Sequence, residues 1–314
     1  MRKWLKISLI TLLLAGGIVL CAIRWQAWFG MPPEPKWTGD TIEYVFPHLT
    51  TDSNLIAEQS NSDSCLTILV LGDIHNRLMR EDYDTLAERV PQVDLIAQTG
   101  DWLERGQEYY YQLLLREWTA SHLFGTPVIV CPGNHEYFKG LHKTLSPVWQ
   151  NAFGEEGNYF VDVQDIRFIV MDTNPLTRLV NLTRTLTWLR NAMYTAGDKY
   201  IVVLMHHPVL SPGKGRFNPF IYATFRHALG EADLVIAGHD HSYMRRTPFV
   251  VLNTAGKPKP QYLGFHADKT DTVPVYGVLR LEKSQISNLK SQMEFRVHRL
   301  DNGEILDSLY VNHD

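Results

Sequence analysis

The sequence predicts an α/β domain whose central strands are buried on both faces, preceded by a membrane-embedded N-terminal helix. Three observations carry this reading. From residue 66 onward, short Val/Ile/Leu-rich runs alternate with amphipathic stretches, as in parallel sheets covered by helices. Five of those runs end in Asp, Asn or His, residues that belong at the carboxyl edge of an open sheet. Near the N-terminus, residues 7–23 form an uncharged run of 17 residues.

That run would extend roughly 26 Å as a helix, near the lower limit for spanning a bilayer. Arg2, Lys3 and Lys6 precede it, and Trp4, Trp25 and Trp28 flank it where interfacial aromatics belong. The positive-inside bias then keeps the N-terminus cytoplasmic and the remaining chain outside. A cleaved signal peptide is the rival reading, but no A-x-A site follows, and Leu20 precedes Cys21 where a lipoprotein site wants a small residue. Residues 1–25 are therefore read as an anchor. Residues 26–65, with Pro32, Pro33, Pro35 and the polar "EQSNSDSC", form a juxtamembrane stalk, and residues 66–314 the α/β domain.

Within that domain the expected strands are "LTILVL", "VDLIAQT", "PVIV", "IRFIVM", "YIVVLM" and "ADLVIA". Leu182, Leu186, Leu189 and Met193 recur at helical spacing, and "QEYYYQLLLREWTASHLF" reads as another helix. The C-terminal third changes character. "RTPFVVL", "VPVYGVLRLE" and "QMEFRVHRL" are strand-like with few helices between them, which predicts a second, largely antiparallel portion of sheet.

Composition is ordinary for a globular chain, and a net charge of -4 gives no case for nucleic-acid binding. Cys21, Cys65 and Cys131 are too far apart for a thiolate zinc knuckle, although a Cys65–Cys131 bridge stays open. Histidine is more informative: the chain has 13, several beside Gly, Asp or Asn.

The polar strand ends are Asp73 and His75; Asp101; Asn134 and His135; His206 and His207; and His239 and His241. Four of the five have a glycine just before the first polar residue, which permits a tight turn. Asp73 and His75, like His239 and His241, can point the same way from an extended backbone, so each pair can grip one ion. Oxygen and nitrogen donors of this kind suit Mn, Fe or Zn, and a shared carboxylate suits two ions. Such a pair is well fitted to hydrolyse phosphate esters, because it activates a hydroxide and neutralises the transition-state oxygens.

The motifs "GDIH", "GDWLERG", "GNHE", "MHHP" and "GHDH", in this order, resemble those of the calcineurin-like metallophosphoesterases. The resemblance implies a two-sheet sandwich flanked by helices (α/β/β/α), with two metal ions and a phosphate-ester substrate. By motif position, it implies that Asp73, His75 and His241 hold the first ion, that Asn134, His206 and His239 hold the second, and that Asp101 bridges them. It also implies that His135 donates a proton to the leaving oxygen, with Glu104 orienting it where related Ser/Thr phosphatases carry Asp. Arg105 matches a phosphate-binding arginine of that subfamily. "GHDHSYMRR" is closer to purple acid phosphatases, yet Glu104 stands where those carry a tyrosine ligand, so a tyrosinate site is not expected.

His207 is either a partner of His206 or simply packed. His48, His122, His142, His227, His266, His298 and His313 lack a ligand-like context. Two basic loops, one with Lys214 and Arg216 and one with Lys257 and Lys259, either hold further substrate charges or are solvated turns. The overall expectation is a single-pass membrane phosphohydrolase with its catalytic domain outside the cytoplasm. A phosphodiesterase acting on lipid-linked or nucleotide substrates and a non-catalytic metal-binding scaffold are the alternatives.

Overall fold

Strand β1, Cys65–Leu71, is apolar on both faces, and both faces are used. Leu66, Ile68 and Val70 enter one hydrophobic cluster and Leu69 and Leu71 another, as the two-residue period of a strand requires. The computed structural model describes residues 65–137, 144–154, 157–210, 219–259, 267–282 and 291–311. The expected anchor, and the stalk up to residue 64, lie outside the described residues. Among the described residues no helix is long and apolar enough to cross a membrane.

β1 pairs in parallel with β2 (Leu95–Gln98), which pairs in parallel with β3 (Val128–Val130). Helices α1 (Arg80–Arg89) and α2 (Glu108–Thr119) make the crossovers, and α3 (Pro147–Phe153) follows β3. The second sheet contains β4 (Asn158–Val163), β5 (Ile166–Met171), β6 (Tyr200–Met205) and β7 (Leu234–Ala237). Helices α4 (Leu182–Tyr194) and α5 (Pro219–Leu229) lie between its parallel strands in sequence.

The C-terminal strands divide between the two sheets. β8 (Tyr243–Arg246), β9 (Phe249–Val251) and β10 (Lys269–Asp271) extend the second, to the order β10-β8-β9-β7-β6-β5-β4. β11 (Val275–Glu282), β12 (Gln292–Arg299) and β13 (Ile305–Val311) join the first antiparallel to β1, giving β13-β12-β11-β1-β2-β3. The largely antiparallel portion expected of the C-terminal third is thus present, but shared between both sheets. Strand propensity does not say which edge a strand will find.

Three apolar clusters make the layers. The first joins the inner faces of both sheets, with Ile68, Ala97 and Phe295 meeting Phe168, Val202 and Ile236. The second seats Tyr83, Leu115, Trp118 and Trp149 of the helices on the outer face of the first sheet. The third seats Leu189, Met193, Phe225 and Leu229 on the outer face of the second. Two mixed sheets therefore pack face to face with helices outside each, as the family resemblance implies.

Helix α1 escapes the periodicity argument because it buries only Tyr83 and Leu86. It is stabilised at its ends instead, with Glu81 and Asp82 in the first turn and Arg89 in the last. α3 has only seven residues, and its start is set by the Ser146 Oγ accepting the Trp149 N–H. Cys65 and Cys131 are both free thiols, so no bridge joins them.

Arg167, the second residue of β5, is 6% exposed and ties the second sheet to the end of α4. Its guanidinium donates to Asp162 Oδ1 at 2.6 Å and Oδ2 at 2.7 Å, and to the Ala192 carbonyl and Thr195 Oγ1 at 2.9 and 2.7 Å. The Arg167 hydrogen bonds hold the Asp162 carboxyl below its ordinary range. A depressed carboxylate stabilises the fold above its unfolded pKa, and that contribution fades as pH falls through the folded value. Arg167→Met should cost about 2–4 kcal/mol in urea unfolding at neutral pH, with the deficit against wild type shrinking in acid. A pH-independent deficit would assign the effect to packing alone.

Candidate metal centre

The five polar strand ends meet at one edge of the molecule, and the backbone there is unusual. Asp73, His75, Asp101, His239 and His241 all have positive φ, between 51° and 73°. This left-handed region is sparsely used by residues other than Gly, Asn and Asp, and such conformations gather at functional sites. The Asp73/His75 and His239/His241 pairs therefore converge through left-handed turns rather than along an extended backbone, which corrects that part of the sequence reading. Main-chain bonds hold the turns: Asp73 N–H to Gly100 O at 3.1 Å, His75 N–H to Asp101 O at 2.9 Å and Asn76 N–H to Trp102 O at 3.0 Å. Gly100 has φ of 100°, and a Cβ there would lie 2.6 Å from His206 Nδ1.

Asp101 sits between two groups of donors. Its Oδ1 accepts the His135 main-chain N–H at 2.9 Å. Its Oδ2 lies 3.7 Å from His75 Nε2 and 3.3 Å from His206 Nε2. On one side His75 Nε2 and His241 Nε2 are 3.1 Å apart, with Asp73 Oδ1 3.9 and 3.7 Å from them. On the other, His206 Nε2 is 3.1 Å from His239 Nδ1 and 3.3 Å from Asn134 Oδ1. All seven ligands expected from the motifs are thus brought together, in the two groups that the resemblance implies.

Second contacts aim the imidazoles. His206 Nδ1–H donates to the Thr99 carbonyl at 3.0 Å and His241 Nδ1–H to the Lys257 carbonyl at 2.9 Å, which leaves each Nε2 facing the cluster. His207 borders the second group, one of its ring nitrogens lying within 4.8 Å of those of His206 and His239, and Thr173 holds it there, its Nδ1 and main-chain N–H lying 2.8 and 3.0 Å from Oγ1. Its ring packs 4.4 Å from that of His239.

These residues fit metal ions. Nitrogen donors 3.1 Å apart have the spacing of two ligands on one ion at bond lengths of about 2.1 Å. Both Asp73 carboxylate oxygens are buried, with the His239 main-chain N–H on their side of the cluster. Burial pushes the Asp73 carboxyl well up, the penalty that a bound cation would relieve. Burial also depresses His75 to about 3 and, with Lys259 assisting, His241 to about 4, keeping both imidazoles neutral as ligation requires. His206 differs. Burial works against its charge, but Asp101, Asp73 and Glu136 together outweigh burial and raise it to about 9, so an ion must displace a proton there.

His135 faces the same cavity, of about 520 Å³, with its Nε2 3.9 Å from Asp101 Oδ2. Its Nδ1–H donates to the main-chain carbonyl of Glu104 at 2.5 Å. The orienting contact is thus the backbone of Glu104 and not its carboxylate, which lies 3.7 Å from His75 Nδ1 and 3.6 Å from the Arg77 guanidinium. Arg105, for which the resemblance implies a phosphate contact, stands apart from the cavity wall. The Asn76 carboxamide accepts the Glu104 N–H at 2.8 Å and turns that residue to the cavity, while Arg105, half-buried, is not among the residues lining it. Arg77, Lys257 and Lys259 do line it. The loop with Lys214 and Arg216 lies outside the described residues.

Arg77 went unremarked in the sequence reading, although it stands two residues after His75 in the same motif. Glu136, the last residue of "GNHE", was missed as well. It is fully buried and accepts the N–H groups of Asp101, Leu103 and Gly133 at 2.9, 2.9 and 2.7 Å, which ties the β2 and β3 ends together. Glu136→Leu should leave those three N–H groups unsatisfied and weaken metal retention roughly tenfold or more under chelator challenge, although no ligand is removed. Undiminished retention would deny Glu136 that role. A sixth strand end was also legible: after β5, Asp172 accepts from Tyr137 and Asn174, and Asn174 Nδ2 donates to the Pro132 carbonyl at 3.1 Å beside Asn134.

Comparisons with known proteins agree with this geometry. The family model of the calcineurin-like phosphoesterases matches residues 66–243. The glycerophosphodiester phosphodiesterase GpdQ of Enterobacter lignolyticus is 25% identical over 162 residues, covering 48% of this chain and 56% of that protein, so the match spans little more than half of the relative. Among solved structures, the purple acid phosphatase PPD1 from yellow lupin (Lupinus luteus) seeds superposes with a TM-score of 0.58 at 14% identity, covering 81% of this chain and 55% of that one. GAP50, the anchor in the inner membrane complex of Plasmodium, superposes with a TM-score of 0.57 at 16% identity, covering 80% and 90%. These two likenesses show the fold. With the family model covering more than half of the chain, this protein belongs to the calcineurin-like phosphoesterases.

Proposed function

We propose that this protein hydrolyses phosphate esters at two transition-metal ions, one held by Asp73, His75 and His241 and the other by Asn134, His206 and His239, with Asp101 shared. The observation that carries this reading is the position of Asp101 Oδ2 between His75 Nε2 and His206 Nε2, at 3.7 and 3.3 Å. An all-nitrogen-and-oxygen donor set without thiolate suits Mn, Fe or Zn. When bound, such ions activate water and offset charge on the phosphoryl oxygens.

The chain's own groups supply the remainder. Thr99 and Lys257 fix the tautomers of His206 and His241 through their carbonyls, and Glu136 holds the loops that carry Asp101 and Asn134. The Glu104 carbonyl keeps a proton on His135 Nδ1, so Nε2 is the atom that faces the cavity and, when the ring carries its second proton as the imidazolium, gives that proton to the leaving oxygen and returns to the neutral Nδ1–H tautomer.

The similarity to a named glycerophosphodiester phosphodiesterase favours a diester substrate as the second reading. The anchor GAP50 has the same fold, so the fold by itself does not select catalysis over scaffolding; the complete donor set favours catalysis. Assaying the metal-replete full chain on p-nitrophenyl phosphate and its bis ester separates the readings. Turnover of either supports an esterase, the ratio distinguishes monoester from diester, and no turnover of either with both ions bound overturns catalysis.

We propose further that residues 7–23 anchor the chain with its catalytic domain outside the cytoplasm, on the strength of the apolar run and the cations before it. Protease added to intact cells should digest the domain. Protection until lysis would reverse the topology, and a mature N-terminus after residue 22 would show cleavage.

A further inference from the structure

Three cations line the cavity beside the metal-ligand cluster: Arg77, Lys257 and Lys259. Among the described residues, the acids lining it are Asp101, which belongs to the cluster, and Glu104. Two features distinguish this wall from a solvated basic turn. The loop carrying both lysines is bonded at many points to the segments that bear the ligands, and Arg77 is held against that loop.

The bonding runs along the whole loop. Thr254 exchanges bonds with Gly72, its N–H donating to the Gly72 carbonyl at 2.8 Å and its Oγ1 accepting the Gly72 N–H at 3.0 Å. The Lys257 carbonyl accepts from His241 Nδ1, and the Lys259 N–H donates to the His241 carbonyl at 3.2 Å. Lys259 Nζ donates to the His239 carbonyl at 3.2 Å. At Gly256 the approach is so close that a Cβ would lie 2.8 Å from His241 Nδ1. Arg77 Nη1 donates to the Ala255 carbonyl at 3.1 Å, with Nη2 3.6 Å from the Glu104 carboxylate. The cations therefore have positions set by the same residues that place the ligands.

We propose that Arg77, Lys257 and Lys259 form a subsite for the second phosphoryl group of a diphosphate ester whose scissile phosphoryl lies at the ion cluster. This rests on the phosphoesterase reading above and narrows its substrate class. A phosphodiester with uncharged substituents presents a single negative charge and leaves this wall unmatched. A diphosphate ester places a further anionic tetrahedron one bridging oxygen away, where a guanidinium fork and two ammonium groups match it. The cavity, at about 520 Å³, has room for a ligand of that size.

The test is the binding, by calorimetry, of α,β-methylene-ADP and of the phosphonate analogue of AMP to the Mn-loaded full chain, with metal content checked in every variant. These probes share the nucleoside and differ by the second phosphoryl group; the methylene bridge of the first cannot be cleaved between its phosphorus atoms, the phosphonate lacks the 5′ ester oxygen, and the first probe is checked for intactness after the titration. The wild type should bind the ADP analogue roughly tenfold or more tightly than the AMP analogue. The Lys257→Met, Lys259→Met double variant should lose roughly tenfold or more for the ADP analogue and much less for the other, so that the preference collapses. Lys257→Met alone, at an exposed side chain, should move in the same direction and guards against misfolding. Arg77→Met should lose more of the preference than Arg77→Lys. Equal wild-type affinities, or variants that weaken both probes alike, would overturn the subsite. Turnover of p-nitrophenyl phosphate by the wild type reports separately on the esterase reading, since that ester has no second anionic group.

Discussion

Asp101→Asn should release both metal ions, lowering affinity for each by roughly 100-fold or more. The carboxylate has two distinct duties: Oδ1 accepts the His135 main-chain N–H, and Oδ2 faces His75 and His206. An amide cannot do both. If its oxygen keeps the bond to His135, its NH₂ points into the cluster and repels a cation; if it flips, two N–H donors confront each other at His135. Elemental analysis after dialysis, with a competing-chelator titration, reads the outcome. Loss of one ion with the other undisturbed would show that Asp101 serves one site only, and retention of both would end its bridging assignment.

His135→Ala should keep both ions and lose roughly 10² to 10⁴-fold in turnover, the usual contribution of general acid assistance. The loss should be large for an alkyl phosphate and small for p-nitrophenyl phosphate, whose leaving group departs without a proton. Because the Glu104 carbonyl holds His135 Nδ1, Glu104→Gln should not reproduce this dependence on the leaving group. An equal deficit for good and poor leaving groups would remove the proton-donor role and leave His135 as an electrostatic or positioning group.

The seven candidate ligands came from the resemblance of the motifs, whereas the sequence by itself determined the central strands and the carboxyl edge where the polar residues collect. Each is a local property: a run buried on both faces must be apolar throughout, and its first polar residue marks where it leaves the core. Helix α4 was legible for the same reason, through Leu182, Leu186, Leu189 and Met193. What only the tertiary structure decided depends on residues far apart in the chain. The left-handed turns at Asp73, His75, Asp101, His239 and His241 are imposed by bonds between neighbouring strand ends, not by local propensity. Whether Glu104 uses its side chain or its carbonyl toward His135 turns on the Asn76 carboxamide that holds its N–H. Arg77, and not Arg105, lines the cavity because a loop more than 170 residues away, at Ala255, accepts its guanidinium. Spacing along a chain records where side chains begin, but hydrogen bonds closed across the fold decide where their atoms end.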